Sequence, residues 1–78
     1  MTQFRQTTDN LRGYLLKGDT TRICEASGVS LGTLYGAFRR EAAADLREGE
    51  RKAYEIFIEV ARGRKQAADA LAQKAQAI

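Results

Sequence analysis

The chain is predicted to fold as an all-α protein, a compact bundle of about four to five helices containing a helix-turn-helix. Three observations lead there. The 78 residues include no proline and are rich in Ala, Leu, Arg, Glu and Gln, which favour helix. Apolar residues recur at three- and four-residue steps, and no alternating pattern competes for strand. The run from Thr20 to Phe38, TTRICEASGVSLGTLYGAF, has the spacing of two helices joined by a tight corner.

Taken in order, residues 1–7 read as a loose arm, with Phe4 as a candidate pin and Arg5 as a candidate phosphate contact. The first helix is expected from about Thr8, acting as a cap, to Lys17. Leu11, Tyr14 and Leu15 share one of its faces and Gly18 stops it. Gly13 inside that helix would cost roughly 1 kcal/mol against alanine. Asp19 or Thr20 is expected to cap the second helix, which carries Ile23 and Ala26 and ends near Ser27. The third helix should run from Ser30 or Leu31 to about Arg40. A connection with a short helix around Ala42 to Arg47 comes next, interrupted by Gly49. From Glu50 onward Ala53, Ile56, Phe57, Val60 and Ala61 form the apolar face of an amphipathic helix, opposite Arg51, Lys52, Glu55, Glu59 and Arg62. After Gly63 only Ala67, Leu71, Ala75 and Ile78 make a thin stripe, which suits either a solvated extension or a self-association seam. The domain reading is therefore an arm at 1–7, a helix-turn-helix bundle at 8–62 and an alanine-rich helical extension at 63–78.

The corner is chemically specific. Gly28 falls where a helix must exit through a left-handed conformation, which glycine adopts without a Cβ penalty. Val29 plugs the turn, and the Ser30 hydroxyl can accept an amide hydrogen at the start of the third helix. Leu34 and Phe38, one turn apart, face inward; Cys24 and Ala26 are small enough to let the two helices cross.

Charge placement points to a polyanion. The net charge is +3; the first forty residues hold six basic and three acidic groups, and the rest balance to zero. The whole excess thus falls in the helix-turn-helix half. One cysteine and no histidine exclude an internal disulfide framework and leave no zinc ligand set. Cys24 reads as a small buried hydrophobe in a reducing, cytoplasmic setting. The start, MTQFRQTTDN, lacks the apolar core of a signal peptide, and no apolar run is long enough to span a bilayer. No acid–base pair, nucleophile–base pair or phosphate-cradling glycine loop is present, so the expectation is no enzyme, no cofactor, no metal and no small-molecule ligand.

The segment ICEASGVSLGTLYGAF resembles the helix-turn-helix of TetR-type repressors. Ile23, Gly28, Val29, Ser30, Gly32, Thr33, Leu34, Tyr35 and Phe38 match that pattern, while Cys24 and Ser27 replace its usual alanines. The resemblance covers about a quarter of the chain, and the large ligand-binding domain of that family has no room here. The stretch LRGYLLKGDTTRICEASGVS is also similar to the heads of small phage and mobile-element regulators of the Cro and LacI type. What the resemblance implies is phosphate contacts from Ser30, Thr33 and Tyr35, with the start of the third helix directed into the major groove.

Independently, an inward Leu34 and Phe38 would leave Gly32, Thr33, Gly36, Arg39 and Arg40 outside. The candidate DNA-binding residues are therefore Arg22, Ser30, Leu31, Gly32, Thr33, Tyr35, Gly36, Arg39 and Arg40. Five of them have a plainer alternative: Gly32 and Gly36 suit close approach to another helix as well as to DNA, Tyr35 suits half-buried packing, and Arg39 and Arg40 suit a helix C-terminus. The functional expectation is a sequence-specific duplex-DNA-binding protein, a small homodimeric transcriptional regulator of a bacterium, phage or mobile element. The dimer would form through the C-terminal half, using Ile56, Phe57 and Val60 with Ala67, Leu71, Ala75 and Ile78 extending the seam; the plainer alternative is that the first cluster completes the bundle's own core and the tail frays. The alternatives are a protein-interaction or assembly adaptor on the same fold, and sequence-indifferent DNA packaging.

Overall fold

The computed structural model describes residues 2–77, all-helical apart from their connections. Helices α1 (Gln3–Arg12), α2 (Asp19–Ser27) and α3 (Leu31–Phe38) pack around the first half of a long α4 (Glu48–Gln76), and one 3-10 turn, Ala43–Asp45, bridges α3 to α4. Among the described residues no helix is long and apolar enough to cross a membrane.

The first helix starts earlier than its apolar pattern suggests, and most of the expected arm belongs to it. Thr2, not Thr8, is its cap, accepting the Arg5 N–H at 3.2 Å. The Thr2 hydroxyl also donates to Glu41, which ties the start of α1 to the segment after α3. Thr8 is buried instead: its hydroxyl bonds the Tyr54 hydroxyl at 2.6 Å and the Phe4 carbonyl at 3.1 Å. A core position held by threonine interrupts the apolar periodicity, which is why the helix reads as beginning there. Phe4 stacks on Tyr54 with ring centroids 5.2 Å apart. Gly13 caps the C-terminus of α1 rather than lying inside it, so its helical penalty is largely avoided.

Gly18, at φ 89°, precedes α2 as its N-cap, a left-handed position that a Cβ would strain. Asp19 therefore does not cap α2 from outside; it is the helix's first residue, and its carboxylate accepts the Leu16 N–H at 2.9 Å. The core comprises Ile23, Leu34, Ala37, Phe38, Ala53, Tyr54, Phe57 and Ala61. Phe57 is its centre, edge-on to Phe38 at 4.7 Å and to Tyr54 at 5.3 Å. Close helix approach is provided by buried Ala37, Ala53 and Ala61; Ala26 is exposed and Cys24 only half-buried.

The connection after α3 is shorter in helix than expected, only the Ala43–Asp45 turn. Gly49 does not separate this connection from α4, because it lies in the first turn of that helix, where a Cβ would meet Val29 Cγ1 at 3.5 Å. Gly63 likewise interrupts nothing: α4 runs through it for 29 residues. Once a helix is nucleated, each further alanine, glutamine or lysine propagates it cheaply, and a single glycine is outweighed. The boundary expected at residue 63 is therefore one of burial and not of secondary structure. From Lys65 to Ala77 every residue is exposed. Ile78, the last residue of the expected stripe, lies outside the described residues.

Candidate nucleic-acid interface

The corner between α2 and α3 is built by its backbone. Gly28 sits at φ 73°, and the N–H groups of Gly28 and Val29 both bond the Cys24 carbonyl, at 2.8 and 3.2 Å. The Gly28 bond is that of an αL exit, in which a left-handed residue lets an otherwise orphaned helix carbonyl be satisfied, and Val29 shares the same acceptor. Ser27 adds a hydroxyl bond to the Ile23 carbonyl at 2.7 Å. Ser30 then caps α3, accepting the Thr33 N–H at 3.2 Å while its oxygen lies 3.0 Å from the Thr33 hydroxyl. With Leu34, Ala37 and Phe38 buried, the orientation of α3 is fixed.

That orientation separates the candidate residues into two sets. Leu31, Tyr35 and Arg39, spaced by four, form an exposed stripe, with exposed Ser30 and Gly32 at its N-terminal end. Leu31 is 45% exposed and Tyr35 36%. Thr33, Gly36 and Arg40 lie on the side covered by the start of α4, so the expected outward face is rotated. A Cβ on Gly36 would fall 2.9 Å from Glu50 Oε2, and one on Gly49 would approach Thr33 Cγ2 at 3.7 Å. Gly36 thus leaves room for the Glu50 carboxylate. Arg40 is committed to Glu50, donating from Nε at 3.0 Å and from Nη2 at 2.9 Å. Glu50 also accepts the Arg47 N–H, and these bonds, with Arg40 first, hold its carboxyl below the ordinary range despite burial. The Arg40–Glu50 pair clasps the end of α3 to the start of α4.

Sequence reasoning overlooks Arg12. At the end of α1, its guanidinium stands 4.6 Å from the Phe38 ring centroid and 5.9 Å from that of Tyr35, over the aromatic faces beside the stripe. An arginine at a helix C-terminus carries no motif, so only the packing of α1 on α3 reveals it. Arg39 is exposed, and its carbonyl accepts a hydrogen bond from Arg5 at 3.0 Å. Arg5 is thereby turned toward the protein, beside Asp9 and Glu41, not toward a phosphate. Arg22 is exposed in the first turns of α2, 3.9 Å from Asp19, on a different helix from the stripe.

The division of charge by sequence halves does not survive folding. Arg5 meets Glu41, Arg40 meets Glu50 and Asp19 meets Arg64, each pair joining the two halves. Exposed Glu48 also adjoins Gly49, whose backbone faces Val29 and Thr33. What remains beside α3 is Arg12 and Arg39, neither of which forms an ion pair among the described residues.

Of the two readings for Ile56, Phe57 and Val60, the cluster completes the bundle's own core: Phe57 is wholly buried, and Ile56 and Val60 are half-buried against the core. Burial pushes the Cys24 thiol up, as for an unreactive packing residue. Compared with known protein families, curated proteins and solved structures, the chain finds no match.

Proposed function

We propose that the chain binds duplex DNA through α3 and acts as a small transcriptional regulator. The observation that carries this reading is the exposed stripe Leu31–Tyr35–Arg39, held at the outer face of a helix pair turned at left-handed Gly28 and flanked by Arg12. Such a helix enters a major groove with its N-terminal residues at the base edges. Gly32 lets the backbone approach closely; the amides of the first turn, which lack helical acceptors, suit a phosphate. Leu31 offers apolar contact to a thymine methyl, and Arg39 and Arg12 reach phosphates on either side. Ser30 and Thr33 are largely occupied by each other, so they hold the helix start more than they read sequence.

Fluorescence anisotropy with random-sequence duplex across a salt series tests the reading. Affinity should fall steeply with salt through counterion release, and Arg39→Ala should weaken binding to all sequences alike. Absence of binding at low salt overturns it. The second reading, a protein adaptor, is favoured by the apolar exposure of Leu31 and Tyr35, and that outcome would raise it.

A further inference from the structure

Two of the large exposed hydrophobic side chains, Leu16 at 59% and Leu71 at 69%, border the same groove. Its lining comes from the α1–α2 connection, with Gly13, Tyr14 and Leu16, and from α4, with Arg64, Ala67, Ala68 and Leu71. Along α4 the side that carries Ala53, Phe57 and Ala61 into the core continues in register through Arg64 to Ala68, Leu71 and Ala75. The intramolecular packing surface therefore runs on past the end of the bundle, bordered only by the α1–α2 connection and exposed from Lys65 onward. The molecule measures 46 Å along its longest axis against 28 and 15 Å across, as the projecting helix requires.

We propose that this surface binds a second copy of the chain, the exposed half of each α4 lying in the partner's groove about a two-fold axis. The reading goes beyond DNA binding and does not depend on it. A two-fold contact needs one surface that is both ridge and groove. The distal half of α4 is such a surface, since Leu71 stands out between Ala67, Ala68 and Ala75, small residues that admit a second helix closely.

The electrostatics suit self-association in the same way. A charged seam would repel its own copy, but this one is nearly neutral. Arg64 is held bidentately by Asp19, at 3.0 and 2.9 Å. Lys65 and Asp69 pair with each other at 3.1 Å, turned away from Leu71 by the helical spacing. Lys74 flanks the seam from one side. A nucleic acid or acidic partner would find little net charge there. The exposed span is roughly 18 Å long at 1.5 Å per residue. Two such spans with their grooves would bury on the order of 1,000 Å², the size at which specific interfaces begin.

Sedimentation velocity on the full chain without DNA, from low to several hundred micromolar, provides the test. The expected result is a concentration-dependent shift from monomer to dimer mass. Leu71→Glu and, separately, Leu16→Glu should each weaken dimerisation at least about 100-fold, because each change enters a two-fold interface twice. Both positions are exposed in the monomer, so thermal melts at dilution should stay unchanged and show the variants folded. Gln66→Glu, on the side of α4 away from Leu71, should leave the dimer intact. A full-length chain that remains monomeric throughout overturns the proposal. A dimer indifferent to both leucine changes overturns it as well, by placing the contact elsewhere.

Discussion

Over its first half α4 presents Ala53, Phe57 and Ala61 to the bundle with no exposed surface, whereas over its second half the same side carries Ala68, Leu71 and Ala75 into solvent. Both halves are one continuous helix. The difference lies in side-chain volume. The first half supplies Tyr54, Ile56, Phe57, Ile58 and Val60, enough to hold three other helices; the second supplies mostly alanine. Helix persistence and helix burial are thus separate properties, the first set by local propensity and the second by what the apolar side can grip. Asp19 and Arg64 mark the place where grip ends.

The sharpest contrast should be between leucine and phenylalanine on the two halves. Phe57→Ala removes a ring that meets both Phe38 and Tyr54, and should cost about 3–5 kcal/mol, a large part of a small domain's stability. Leu71→Ala, measured at dilution where the chain is a monomer, should change stability by less than about 0.5 kcal/mol. Denaturant melts followed by circular dichroism compare the two directly. Similar costs would mean that the distal half packs within its own protomer.

A smaller effect is expected from the Asp19–Arg64 pair, which clasps α2 to α4 where burial ends. The Arg64 guanidinium first, and the Leu16 N–H next, lower the Asp19 carboxyl to about 2, against the opposing effect of burial. An unfolded aspartate titrates near 4, so the unfolded chain takes up this proton first as the solution is acidified. The stabilisation from Asp19 is therefore complete above about pH 4 and is lost as pH falls through about 2. Asp19→Asn should melt lower than the native chain at neutral pH, and the gap should close progressively over that acid window. Glu50 and Glu41, also held low, leave a remaining acid dependence in both proteins. A gap of constant size from pH 7 to pH 2 would show that the clasp contributes through shape and not through charge.

What could be read from the residues depended on whether neighbours in sequence carried the signal. The α2–α3 corner was legible because each of its devices is local: Gly28 needs a positive φ, Ser30 reaches Thr33, and Leu34 and Phe38 lie one turn apart. The start of α1 was not, because Thr8 occupies a core position set by Tyr54, 46 residues away, whose hydroxyl it meets. The candidate face was legible in part. Nothing local tells that the start of α4 covers Gly36 and Arg40, since the covering group, Glu50, belongs to another helix and is itself an ordinary charged residue in the sequence. Arg12 was missed for the same reason: its role comes from rings on α3. Long-range partners, then, decide which exposed-looking residues stay exposed.

A modest gain in stability is expected at Gly63, where glycine reads as a break but the helix continues. A Cβ there meets nothing within 4 Å, and φ is not in the left-handed region that favours glycine. Gly63→Ala should therefore add no clash, while reducing the freedom lost on folding and raising helix propensity. Its gain should be about 0.5–1 kcal/mol, because α4 runs through this residue. The benefit should appear as a higher melting temperature without any change in the helical signal per residue at low temperature. If Gly63 instead marked a hinge, with the distal half fraying from there in solution, alanine would raise the helical signal itself at low temperature by recruiting residues that glycine leaves uncoiled. The two outcomes differ in what the circular dichroism amplitude does before melting begins, and so distinguish a helix that is continuous but unburied from one that is merely capable of continuing.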